Sequence, residues 1–160
     1  MPELTLILFR HAKSDQSSTE ADIDRPLNER GERQAPEAGR WLAENVDGID
    51  LAVVSPAYRA RTTWDLASAE LSQPPQARID DRIYAGSLSS LLSVVWDLPD
   101  DVRTVVLVGH NPGIEDLAAL LTNEAVSMPT SAIAVLGSDA AWSSAGESWA
   151  TVQAQGRPTD

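Results

Sequence analysis

Residues 4–15, LTLILFRHAKSD, run apolar from Leu4 to Phe9, interrupted only by Thr5, and then turn cationic at Arg10-His11. So short a run fits a buried strand better than a helix. Residues 105–113, VVLVGHNPG, repeat the design: an apolar run, then Gly109-His110. Between them, residues 49–56, IDLAVVSP, read as another buried strand, ending at Ser55-Pro56. The chain has two histidines, and both stand just past the carboxyl end of a predicted strand.

Helical patterns separate these strands. Asn28 caps a helix with Ala35, Ala38, Trp41, Leu42 and Val46 on one face, and Pro36 inside it predicts a kink or a later start. Tyr58 to Leu71 reads as a helix stopped by Pro74-Pro75. Ser87 caps a third, with Leu88, Leu91, Leu92 and Val95 aligned, and Gly113 to Leu121 forms a fourth. Residues 14–31 read as an irregular loop and residues 77–84, ARIDDRIY, as a weak strand. Residues 130–137 and 148–156 predict two late strands, an antiparallel edge pair. Trp142 reads as a surface residue that marks a contact, and Trp149 as a buried strand position. Strands alternating with helices predict an α/β fold, a mostly parallel central sheet with helices on both faces. The whole chain, 1–160, is expected to form a single domain.

With 24 acidic and 12 basic residues the chain carries a net charge of −12. That field disfavours nucleic acid and anionic membrane surfaces as partners. There is no Cys, so no disulfide framework and no thiolate chemistry. The first residues lack a basic segment and the apolar run is too short for a signal peptide or a membrane span, so a cytoplasmic protein is expected.

In open α/β sheets ligands bind beyond the carboxyl ends of the strands. Arg10, His11, Arg59 and His110 would converge there, near helix amino ends that favour anions. A phosphoryl group suits guanidinium forks. A catalytic zinc normally takes three protein ligands, and Arg10 and Arg59 would repel a dication, so neither a metal nor another cofactor is expected. No GxxxxGK[ST] run is present to form a nucleotide P-loop.

LFRHAKS (8–14), SPAYRARTT (55–63) and VGHNP (108–112) resemble, in order and spacing, the signatures of the histidine phosphatase superfamily, also called phosphoglycerate mutase-like. RHAKS with DRPLNERG (24–31) and TSAIAVL (130–136) is most similar to its SixA branch of phosphohistidine phosphatases. The resemblance implies a three-layer sandwich and assigns roles by position. His11 falls on the phosphate-accepting histidine, Arg10 and Arg59 on the arginines that hold phosphoryl oxygens, and His110 on the second pocket histidine. In DDRIYAG (80–86), Asp81 falls on the proton-donating acid. Arg25 and Ser14 fall near the substrate. Ala12 stands where the family commonly has glycine, and Thr62 where it often has glutamine.

The expected function is a metal-independent phosphatase in which neutral His11 attacks phosphorus to form a phosphohistidine, with His110 as an imidazolium. Its expected substrate is phosphohistidine in a protein. A small phosphomonoester is the alternative substrate, and a non-catalytic phosphate- or phosphopeptide-binding module the alternative of another class. The partner is then a phosphorylated protein or small molecule, and the chain is expected to be a monomer or weak dimer.

Overall fold

The computed structural model describes residues 3–159. Six strands, β1 (Leu4–Arg10), β2 (Leu51–Val54), β3 (Gln76–Ile79), β4 (Thr104–Gly109), β5 (Ile133–Ser138) and β6 (Thr151–Gly156), form one sheet in the order β3-β2-β4-β1-β5-β6. β3, β2, β4 and β1 run parallel, whereas β5 and β6 are antiparallel to their neighbours. The sheet is mostly parallel, as expected. The late pair is more than an edge, because β5 pairs with β1 and only β6 is terminal.

The interior position of β1 follows from its residues. Leu4, Leu6 and Leu8 face one side of the sheet and Ile7 and Phe9 the other, so alternate residues feed two separate cores. The first core takes Leu91 and Val94 of α3 (Leu88–Trp96) with Ile114 and Leu117 of α4 (Gly113–Thr122). The second takes Leu42 of α1 (Glu29–Asn45) with Trp64 and Ala67 of α2 (Tyr58–Ser68). Helices therefore cover both faces, giving three layers. Phe9 is fully buried, and truncating such a side chain costs about 3–5 kcal/mol.

α1 starts at Glu29 despite Pro36. The Asn28 side chain accepts a hydrogen bond from the Gly31 amide at 2.9 Å, and Glu29 and Glu32 occupy the positive first turn. Pro36 sits inside the helix, which runs on to Asn45 without the bond that a proline cannot donate to the carbonyl one turn earlier. Gly31 allows this helix start to press on the loop after β1: a Cβ there would lie 2.0 Å from the Lys13 carbonyl oxygen. Gly39 likewise lets α1 approach α2, since a Cβ would meet the Ala67 carbonyl at 2.1 Å.

Three local expectations change. Residues 77–84 split into the edge strand β3 and a one-turn 3₁₀ helix, Asp81–Ile83. The loop between β1 and α1 contains another, Asp22–Asp24, and pairs with itself through an isolated bridge between Ser14 and Leu27. Trp142 is buried, with its indole N–H donating to the Val102 carbonyl at 3.0 Å, so it offers no surface contact. Trp149 lies before β6 and is half-buried, its ring 5.7 Å from that of Trp142. A large ring with one polar atom can be buried wherever that atom finds a carbonyl, which no periodicity in the sequence reveals.

Candidate active site

β1, β2 and β4 end side by side, and their following residues meet. The His11 amide donates to the Gly109 carbonyl at 3.0 Å, and the His11 carbonyl accepts from the Ser131 amide at 3.0 Å. The Ala12 amide donates to Thr63 Oγ1 at 3.0 Å, and the Lys13 amide to Gln34 Oε1 at 3.0 Å. The backbone around His11 is thus tied to β4, α1, α2 and the segment before β5.

The ring of His11 is almost fully buried. Its Nδ1 lies 2.7 Å from the Ala12 carbonyl oxygen. A carbonyl can only accept, so Nδ1 carries the proton and the lone pair sits on Nε2. Burial first, then the neighbouring His110 and the guanidinium charges of Arg59 and Arg10, pushes the His11 pKa down to about 3, against the pull of the Ala12 carbonyl. The residue is a neutral imidazole with a free Nε2 lone pair at neutral pH.

The His110 ring lies 5.0 Å from that of His11. Its Nε2 is 2.7 Å from Ser55 Oγ, and the edge of Tyr84 stands against it at 5.8 Å. Burial, then Arg59, pushes its pKa down to about 4, with Asp22 opposing. His110 is therefore neutral in this structure, not the imidazolium expected from sequence: burial and cationic neighbours outweigh the single nearby carboxylate.

Arg59 is buried at the first turn of α2 and donates from Nη1 to the Asp22 carbonyl at 2.7 Å and from Nη2 to Asp22 Oδ2 at 3.2 Å. Arg61 points outward over the Tyr58 ring. Arg10 donates from Nη1 to the Met128 carbonyl at 3.0 Å. Four buried nitrogens, Arg10 Nε, Gln34 Nε2, Arg59 Nε and His110 Nδ1, have no hydrogen-bond partner among the described residues. Buried polar atoms are normally paired, so those of Arg10, Arg59 and His110, the residues whose rings and charges act on His11, mark a place built for a ligand.

Ser14 is buried and accepts from Arg25 Nη1, and Arg25 Nη2 bonds Asp22 Oδ1 at 3.0 Å. The structure therefore joins Ser14 and Arg25 to Arg59 through Asp22. Asp81 stands apart: its side chain is exposed and makes no hydrogen bond or ion pair among the described residues. The neighbouring Asp80 is engaged instead, by Arg82.

Sequence reasoning missed Asp22, which also accepts from the Tyr84 hydroxyl at 2.6 Å. The Tyr84 and Arg25 bonds, then Arg59, hold its carboxyl well below the usual range. Its i,i+3 spacing to Arg25 was the one available signal, and it lay in a stretch without periodicity. Ser55 was read only as the end of a strand, with no role of its own.

A profile of the histidine phosphatase superfamily (branch 1) matches residues 6–83. The uncharacterized protein Rv1276c of Mycobacterium tuberculosis is 39% identical over 139 residues, 80% of this chain and 85% of its own. The chain belongs to the histidine phosphatase superfamily. A solved structure assigned as the phosphohistidine phosphatase SixA of Nakamurella multipartitia superposes on this histidine phosphatase with a TM-score of 0.88, at 31% identity over 100% of this chain and 99% of that one. The corresponding Agrobacterium tumefaciens structure gives 0.84 at 26%, over 99% of each chain. The protein histidine phosphatase SixA complexed with tungstate shares the fold, at a TM-score of 0.81 and 24% identity over 95% of this chain and 96% of that one. No helix among the described residues of this histidine phosphatase is long and apolar enough to cross a membrane.

Proposed function

We propose that this histidine phosphatase is a metal-independent enzyme, a single domain over residues 1–160, that removes phosphate from phosphohistidine in a protein. His11 Nε2 attacks phosphorus in line, forming a P–N bond as the substrate's P–N bond breaks. The substrate imidazole departs neutral, its other nitrogen having taken a proton from solvent. Water then attacks the phosphohistidine, the P–Nε2 bond breaks, and inorganic phosphate leaves. Arg10, Arg59 and His110 Nδ1 offer hydrogen bonds to the equatorial oxygens, and such pre-placed donors carry most of phosphoryl-transfer catalysis. Arg25 and Ser14 position the mouth of the site through Asp22.

One observation carries the choice of substrate. The carboxylate bonded to the pocket arginines, Asp22, is held ionised by Tyr84, Arg25 and Arg59, and so has no proton to give. An alkoxide leaving group needs that proton, and general acid help is typically worth about 10²- to 10⁴-fold. An imidazole that already carries a proton from solvent does not. The likeness to SixA proteins supports the same substrate class.

The test compares a phosphohistidine protein with p-nitrophenyl phosphate and an alkyl phosphate, each with EDTA present. Phosphohistidine should be preferred to the alkyl ester by roughly 10²-fold or more in kcat/KM. Equal or faster alkyl ester hydrolysis overturns this reading in favour of a small phosphomonoester substrate, and no turnover of any substrate favours a binding module.

A further inference from the structure

Ser55 lies immediately after β2, fully buried, with its hydroxyl against His110. Its Oγ has two contacts among the described residues: the Ala57 amide, which donates to it at 3.2 Å, and His110 Nε2 at 2.7 Å. The amide uses one lone pair of Oγ and leaves the hydroxyl proton to be placed. Solvent cannot take that proton at this depth, and His110 Nε2 is the acceptor in reach. A buried hydroxyl left undonated costs about 1–3 kcal/mol.

We propose that Ser55 is a positioning residue that donates to His110 Nε2 and thereby holds the neutral ring as its Nδ1–H tautomer. The inference rests on the phosphatase reading above and adds the origin of one donor in it. Nδ1 is the buried ring nitrogen without a partner. With the proton on Nδ1, His110 presents an N–H toward a phosphoryl oxygen. In the other tautomer Nδ1 would present a lone pair, which repels an oxyanion. Ser55 decides between a donor and an acceptor at the same place in the pocket, and it does so without touching substrate. The hydroxyl can also rotate. If a bound dianion draws a second proton onto the ring, Oγ accepts from Nε2–H and the ring keeps its orientation.

The experiment is ¹⁵N-detected NMR of the two imidazoles in the resting protein, beside kinetics. With two histidines in the chain, His110→Asn assigns the spectrum. The expected His110 signals are a protonated Nδ1 and an unprotonated Nε2. Ser55→Ala should shift proton occupancy toward Nε2, and lower kcat by roughly 10- to 100-fold, the usual effect of losing an orienting partner. Ser55→Thr keeps the hydroxyl and should restore the wild-type tautomer and most of kcat. A wild-type His110 protonated on Nε2, or an Nδ1–H signal unchanged in Ser55→Ala, overturns the proposal. A normal thermal midpoint with an altered tautomer separates positioning from loss of fold. The NMR readout needs no substrate, so it stands or falls separately from the substrate class, which the turnover panel decides.

Discussion

β1 and β3 are both parallel strands whose carboxyl ends point at the same crevice, yet they treat the residues after them differently. β1 is hydrogen-bonded on both sides and buried along most of its length, and His11 after it is held by four neighbouring segments. β3 pairs with β2 alone and is exposed at every residue; Asp81 after it is in solvent. The edge reaches the crevice through Tyr84, whose hydroxyl bonds Asp22. In-line attack tolerates little displacement, so the groups for it belong at the sheet centre. The edge is free to vary without disturbing them.

This contrast breaks most sharply at His11. His11→Ala should lower kcat/KM by roughly 10⁴-fold or more, and remove an acid-labile, alkali-stable phosphoenzyme seen in rapid-quench labelling. Label recovered on serine or aspartate would contradict the central assignment. Arg59→Ala should cost roughly 10²- to 10³-fold. Arg61→Ala, two residues on and outward-facing, should cost about two-fold at most. Equal losses would show that burial at the start of α2 does not mark the working arginine.

Asp22 joins centre to edge, and its removal tests the joint. Asp22→Ala releases Arg59, Arg25 and Tyr84 together and should lower kcat/KM about 10-fold, because misplacement of about 1 Å is worth up to about 10² in rate. A faster enzyme would mean that Asp22 competes with substrate for Arg59. Asp81→Asn, at the free edge, should change phosphohistidine turnover about two-fold or less. A large loss confined to ester substrates would restore Asp81 as an acid.

The smallest expected effect is no change at all. With pKa values lowered to about 3 and about 4, His11 and His110 should hold constant Cε1–H shifts from pH 7.5 down to about 5. In the unfolded chain both titrate near 6.5. From that pH downward the unfolded state binds protons that the native state does not, so these groups make stability fall as pH drops toward 4. Urea midpoints across that range measure the slope; a histidine titrating near 6.5 would show that its ring is not buried in solution.

The legible part of this molecule was its central part. Apolar runs ending in Arg10-His11 and Gly109-His110 announce strands and a basic crevice because burial demands continuous apolar residues, and cations at such ends stand out against an acidic chain. Arg59 and Arg61 separate by helical geometry alone. Asp22 was illegible because a 3₁₀ turn in a polar loop has no periodicity, and its partners Arg59 and Tyr84 come from distant segments. Ser55 was illegible for a different reason: Ser-Pro after a strand is an ordinary turn until the ring beside it is seen. The charge of His110 depends on how deeply it is buried, which no spacing encodes.

The sheet order has a consequence for how the chain reaches this state. Leu6, near the start, pairs with Val105 on one side and Leu136 on the other. The strand that leads into His11 leaves the ribosome before either neighbour and cannot gain both until residues far along the chain have followed. Pairings this distant slow folding, because loop closure is paid for before the contacts that reward it. Until β5 arrives, one side of β1 is an unsatisfied apolar edge, the kind of surface that seeks other chains. Shortening the chain before residue 133 should therefore yield aggregation rather than a weakened enzyme.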